Sequence, residues 1–596
     1  MKPVIYQLVV RYFGNTNVTN QVNGPLATNG CGTFADINDP ALQELRQLGI
    51  THVWLTGCLR QATLTDYSAI GLPADHPDIV KGIAGSFYAV RDYYDVCPDY
   101  ASDPTARMHE FEALVQRVHN AGLLVLIDFV SNHVSRAYSS TMMCHENLGQ
   151  HDQTTRFFDP QNHFFYLVDP PNQALRLSKP TSWNPPGVVF DGRFAPEDGS
   201  PGHPPKATGN NCTTASPSAT DWYETVKLNY GYNFVDQRGY FDPAPRSWAS
   251  MDAIIAYWQS KGVDGFRCDF AHYVPAQAWA FLISRARSRR PTYFFAEAYP
   301  SANGTDPVRT QEELVQAGFD CVYHYQAYNA LKNIYLEGAI DAYDLEIVNL
   351  SPAMRGHVVS YLENHDERRI ASPIVPGQGT GASGFGSADA GYQLAPLQFL
   401  YSSGATLLLN GQEVGEPGAG AEGFGGDDGR TTIYDYWAMP EFTKWVNGRH
   451  YHGGGLSSSQ LALRSFYGSL LRLCQLPSIC GQGYWGLRYI NRPDRFPDCP
   501  GDLYSFARFV PNSGEAVLIA SNFRPGESIT GQLRLPKELM QNIGFSGSVA
   551  IDLILDRGGD TRVSVCRLDA NQLETQGFSV TIPNQTSHVY RVRPVA

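Results

Sequence analysis

The chain has 596 residues, too long for one ordinary domain and long enough to bury a large core. With 43% hydrophobic, 12% aromatic and 17% charged residues it has an ordinary globular composition. A formal net charge of -13 without any basic block argues against nucleic acid or an anionic membrane as partner, and no apolar run reaches the roughly 18 residues of a bilayer span.

In chain order, VIYQLVVRYF reads as a first strand. No small-residue cleavage site follows it, so no signal peptide is read. The expected location is the cytoplasm if Met1 is the natural start, and the cell exterior or periplasm otherwise. ALQELRQLG is helical with Gly49 as its stop, ITHVWLTG is a strand, MHEFEALVQRVHNAG is a helix ending at Gly122, and LLVLIDFV is a strongly apolar strand. This rhythm predicts parallel βα units with the sheet covered on both sides. Between His133 and Tyr240 the rhythm gives way to a Pro-, Gly- and Asn-rich stretch, read as an inserted subdomain.

The rhythm resumes with SMDAIIAYWQSKG, VDGFRCDF, AQAWAFLISRARSR and TYFFAEAY. It continues through HVVSYLEN and ATLLLNG to a closing helix near LALRSFYGSLLRLC. The count gives roughly eight strand positions, one or two of them weak. The expected fold is therefore an α/β (β/α)8 TIM barrel with an insertion after strand 3 and a C-terminal antiparallel β-sandwich. The expected division is residues 1–133 and 241–483 for the barrel, 134–240 for the insertion and 484–596 for the sandwich. The eleven cysteines are scattered, odd in number and without a C-x-x-C pair. They read as free buried thiols, with a few disulfides in an exported form as the alternative.

In such a barrel the chemistry sits at the C-terminal ends of the strands. Those ends carry Asp128 with Asn132 and His133, Arg267 with Asp269, Glu297, and His365 with Asp366. Taken singly, Arg267 with Asp128 or Asp269 could be a structural ion pair, and each histidine a hydrogen-bonded core residue. Together at successive strand ends they predict one cleft. A metal hydrolase is disfavoured because no H-x-H or H-E-x-x-H spacing occurs. Retaining glycoside hydrolysis needs two carboxyls about 5–5.5 Å apart, a distance that adjacent strands can supply with Asp269 and Glu297. Arg267 would keep Asp269 ionised, while the apolar bed of Glu297 would keep that carboxyl protonated.

DFVSNH (128–133), GFRCD (265–269), Glu297 and ENHD (363–366), with GITHVWLTG, YAVRDYYDV and NGQEVG, resemble the motif regions of glycoside hydrolase family 13, the α-amylase family. The resemblance runs along essentially the whole chain. It implies a retaining α-glucoside hydrolase that cleaves α-1,4 bonds of starch, glycogen or maltooligosaccharides. An α-glucan transglycosylase on the same scaffold is the alternative, and a non-catalytic member is disfavoured because Asp269 and Glu297 are both present.

The resemblance implies Asp269 as nucleophile, Glu297 as acid/base and Asp366 as third carboxylate. Arg267 would orient Asp269, with Asp128 supporting it. His133 and His365 would bind sugar hydroxyls, Tyr88 would stack under the ring, and His272 would line the leaving-group side. No cofactor is required and no catalytic metal is expected; a structural Ca²⁺ is left open, with oxygen-rich residues of the insertion as further candidate ligands. Asn132 matches a position that often ligates a structural Ca²⁺, but His272-Tyr273 stands where family amylases often carry Lys-His, which weakens that inference. Arg430 reads as a surface-loop ion-pair residue, with substrate contact as the alternative. Oligomeric state is not readable.

Overall fold

The computed structural model describes residues 1–141, 147–181, 183–299, 310–337, 350–418 and 426–595. Eight parallel strands close into a barrel: β1 (Val4–Val9), β2 (His52–Thr56), β3 (Leu124–Val130), β4 (Gly265–Asp269), β5 (Tyr293–Ala296), β6 (Cys321–Tyr323), β7 (Val358–Ser360) and β8 (Ala405–Leu409). Each strand pairs with its neighbours in sequence, and β1 with β8 closes the ring. Most barrel-strand positions are buried, because side chains fill the interior and helices cover the outside.

The helices that follow the strands are α1 (Asp39–Leu48), α2 (Arg107–Asn120), α3 (Arg246–Ser260), α4 (Ala276–Arg289), α5 (Gln311–Gln316), α6 (Tyr325–Glu337), α7 (Ala390–Phe399) and α8 (Ser458–Leu473). Their ends follow local chemistry. The Asn38 side chain accepts the Ala41 N–H at the start of α1, and Gly49 ends it at φ 107°, a left-handed conformation that glycine adopts without strain. Helix α7 is buried at every position and carries no amphipathic pattern. It is clamped between barrel and C-terminal sheet, where Gln393 Nε2 donates to Asn522 O at 2.7 Å and Ser587 Oγ donates to Gln393 O at 2.6 Å.

The first strand is shorter than the sequence suggests. It stops at Val9, and Val10–Phe13 form one helical turn that buries Arg11 over the Phe87 ring. Strand β6 has only three residues, which explains its weak signal.

The insertion leaves the barrel through a ribbon that pairs His133–Ser135 with Thr225–Lys227. It carries a small apolar cluster of its own on Phe165, Leu167 and Ala207, and a second in which Leu175, Leu177, Phe194 and Tyr223 pack with Ile79 from the loop after β2. The C-terminal region holds a six-stranded antiparallel sheet beside a two-stranded one. Alternate residues face opposite ways: Tyr504, Phe506, Val517 and Ile519 join the barrel core, while Leu503, Ala507, Leu518 and Ala520 form a separate cluster. The ten described cysteines are free thiols, and Cys144 lies outside the described residues. No described helix is long and apolar enough to cross a membrane.

Candidate active site

The register of β3, β4 and β5 builds the floor of the site. Arg267 lies opposite Asp128 on one side and Phe295 on the other, and the Glu297 N–H donates to Cys268 O at 3.0 Å just past the end of β5. Arg267 is fully buried, with Nη1 2.5 Å from Asp269 Oδ1 and 3.5 Å from Asp128 Oδ1, and Nη2 2.8 Å from Glu297 Oε2. One guanidinium therefore faces three carboxylates.

Above it opens a cavity of about 450 Å³ whose lining includes Tyr88, His133, Asp269, Glu297 and Asp366. Asp366 stands apart from the Arg267 cluster, its side chain 34% exposed and 3.0 Å from His365 Nε2. His365 lies just below the surface, with Nε2 2.6 Å from the Tyr88 hydroxyl. Gln7, at the end of its strand-pairing run on β1, donates from Nε2 to His365 Nδ1 at 2.8 Å, which leaves the other ring nitrogen to donate toward Asp366.

Burial pushes the Asp269 carboxyl well above its ordinary range; Arg267 opposes this, and the charges of Glu297 and Asp128 reinforce it. Burial also raises Glu297, against Arg267 and with help from Asp366. Asp128 rises by burial as well, despite Arg267 and the Gly57 N–H. Asp366 moves the other way: burial is outweighed by His365, Arg267 and Arg430, which hold it below the usual range. Arg267 thus contacts both Asp269 and Glu297 and does not by itself keep Asp269 ionised, because one cation cannot neutralise three buried anions.

His272 does not line the cavity. Phe270 adopts a left-handed conformation (φ 43°, ψ 43°) directly after Asp269, and the turn Ala271–Tyr273 tucks His272 beneath its ring. From there His272 Nδ1 lies 3.2 Å from Glu297 O, while the Phe270 N–H donates to Glu297 Oε2 at 2.8 Å. His272 supports the Glu297 segment from behind and does not point toward a leaving group.

The α-amylase catalytic-domain family model matches residues 7–307, half of the chain. The chain belongs to the α-amylase family. Curated relatives include the cyclomaltodextrin glucanotransferase of Geobacillus stearothermophilus, 23% identical over 318 residues, covering 51% of this chain and 35% of that protein. The α-amylase of Niallia circulans is 22% identical over 385 residues, covering 62% and 60%, and maltase 1 of Drosophila virilis is 24% identical over 276 residues, covering 46% and 32%. The chain thus spans from about a third to three fifths of the length of these relatives. Among solved structures, an α-amylase from Lactobacillus plantarum superposes with TM-score 0.57 at 19% identity, covering 99% of this chain and 98% of the other. A noncanonic maltogenic α-amylase from Thermotoga neapolitana gives 0.58 at 16%, covering 100% and 99%. These likenesses show the fold.

On this α-amylase-family scaffold the cavity wall also carries groups that sequence reading passed over. Trp222 packs edge-on to Phe270 with centroids 4.5 Å apart, and Lys81 pairs with Glu224 at 3.1 Å. Tyr299, Tyr325 and Tyr434 complete an aromatic lining. Trp222 and Glu224 lie in the aperiodic insertion, where spacing offers no signal. Arg430 is part-buried, paired with Asp428, and reaches Asp366 O at 3.5 Å. Asn132, the position associated with calcium, is engaged by protein groups: its Oδ1 accepts from Lys227 Nζ and its Nδ2 donates to Gly209 O at 2.8 Å.

Proposed function

We propose that this chain is a retaining α-glucoside hydrolase acting on α-1,4 bonds of maltooligosaccharides, starch or glycogen. The supporting observation is the pair Asp269 and Glu297 held on the two terminal nitrogens of one buried guanidinium at the cavity wall. A shared guanidinium brings the two carboxyls close together, as a retaining mechanism with its separation of about 5–5.5 Å requires.

Of this coupled pair Asp269 has the closer Arg267 contact and reacts as the carboxylate, attacking the anomeric carbon to form a glycosyl ester as the bond to the leaving oxygen breaks. Glu297, raised by burial and by the ionised Asp366 across the cavity, carries the proton and delivers it to the glycosidic oxygen. As a carboxylate it then takes a proton from the water that hydrolyses the ester. Asp366, oriented by His365, grips hydroxyls of the same sugar, His133 binds from the opposite wall, and Tyr88 supports the ring. Residues 1–133 and 241–483 form the catalytic unit, 134–240 the insertion that walls the cleft, and 484–596 the C-terminal sheet unit. No cofactor enters these steps.

Transglycosylation is a second reading. The named glucanotransferase relatives and the rim of Trp222, Phe270, Tyr299 and Tyr325 favour it, because aromatic faces can hold an acceptor sugar in place of water. Incubation with maltoheptaose, a substrate panel (starch, pullulan, cyclodextrin, maltose, trehalose, sucrose) and product chromatography test both. Shorter α-anomeric products support hydrolysis, early longer oligomers support transfer, and no turnover of any α-glucan sinks the proposal.

A further inference from the structure

Three segments distant in sequence meet behind the cavity on one ammonium. The ribbon at the base of the insertion sets Lys227 opposite His133, so their side chains share a face. Lys227 is 5% exposed, donates from Nζ to Asn132 Oδ1, and lies 4.9 Å from the Tyr273 ring centroid. Asn132 in turn donates to Gly209 O, and its Nδ2 lies 3.1 Å from His133 Nδ1. The barrel end, the insertion and the turn after β4 therefore close on Lys227.

A divalent cation does not fit this junction. Calcium collects 6–8 oxygen ligands, several of them carboxylates. Here the Asn132 oxygen already faces a positive charge, and Tyr273 offers that charge a ring face. Among the described residues no three His, Cys, Asp or Glu side chains are grouped to hold a metal. We propose that the Lys227 ammonium is a built-in cation that locks the insertion to the barrel and holds His133 in place at the cavity wall, so that this junction takes no divalent metal. Lys227 is a positioning residue, acting through Asn132 and His133.

The test is thermal melting of the whole protein untreated, in excess EDTA, and in EDTA followed by excess CaCl2. The expected Tm is the same in all three, within about 1 °C. A fall in EDTA that CaCl2 reverses overturns the proposal. Lys227→Met is expected to lower Tm and to cut kcat/KM on a maltooligosaccharide about tenfold. Lys227→Arg should recover most of both losses. A Lys227→Met protein with wild-type Tm and kcat/KM also overturns it. If Lys227→Met does not fold, the metal arms on the unaltered chain still decide. Those arms need no substrate, so their outcome is separate from that of the proposed hydrolysis.

Discussion

Two cations lie beneath the cavity, and they are partnered in opposite ways. Arg267 is ringed by Asp128, Asp269 and Glu297, whereas Lys227 sits against an amide oxygen and a phenol ring. The first arrangement sets the protonation of reacting groups, because moving one proton changes the charge balance around the guanidinium. The second sets geometry, because it joins the amide of Asn132 to the ring face of Tyr273 across the base of the insertion. Charge tuning and positioning are thus divided between two residues, one in contact with Asp269 and the other paired with His133 across the ribbon.

The largest expected effect is at the Arg267 cluster. Glu297→Gln should lower kcat by roughly 10²–10⁴-fold, the range for removal of a general acid/base, with little loss of Tm. Steady-state kinetics on maltoheptaose and a melting scan check it, and a variant with undiminished kcat means the acid lies elsewhere. Arg267→Met strands three buried carboxyls and should destabilise by about 3–5 kcal/mol, as breaking a buried ion pair does. The loss should be larger at pH 8 than at pH 5, because protonated carboxyls need no counter-charge. Lys227→Met should show no such pH dependence at these carboxyls. Equal losses at both pH values would erase the distinction between the two cations.

Stability against pH sharpens the same contrast. Burial lowers His133 and His324 to about 3 and His52 and His272 to about 4, while the unfolded chain titrates near 6.5. These folded values are depressed, so their stabilisation is complete above about 6.5 and is lost as pH falls toward the folded values, at up to about 1.4 kcal/mol per pH unit for each proton. The raised Asp269, Glu297 and Asp128 act oppositely: the folded state holds protons the unfolded state has released, so these groups favour folding as pH falls toward 4. The slope of stability in denaturant titrations from pH 7 to 4 reads the sum of these opposing sets. His324→Phe, remote from the carboxyls, should flatten the slope by up to one proton, and an unchanged slope would mean that histidine is not buried neutral.

The barrel and its acidic strand ends were legible because burial on both faces writes near-continuous apolar strands, and a carboxylate or arginine ending such a strand stands out. Asp128, Arg267, Asp269 and Glu297 do converge on one floor. Less legible was whatever depends on a single backbone angle or on aperiodic chain. The left-handed Phe270 turns His272 away from the cleft, and no spacing rule predicts that. The pairing of Lys227 with His133, and the approach of Trp222 to Phe270, arise in the insertion, where Pro and Gly set the path. Gln7 passes unnoticed as one polar residue in an apolar strand, although the cost of burying an amide signals a partner.

The smallest expected effect lies at the rim. Lys81 pairs with Glu224 at 3.1 Å, donates to Asp221 O at 3.3 Å and sits 4.9 Å from the Tyr223 ring centroid, so it fastens the loop after β2 to the end of the insertion. That loop also leans on Tyr434, whose carbonyl accepts the Ala84 and Gly85 N–H groups. At Gly82 (φ 72°) an added Cβ would fall 2.1 Å from the same carbonyl oxygen. Lys81 lines the cavity and is fastened to Glu224 and Asp221 rather than to Asp269 or Glu297, which assigns it to substrate binding and not to the reacting atoms. Lys81→Met should therefore raise KM by about three- to tenfold and leave kcat nearly unchanged, the signature of lost uniform binding. A fall in kcat without a change in KM would place Lys81 with the reacting groups, and a third cation would then share the work of Arg267.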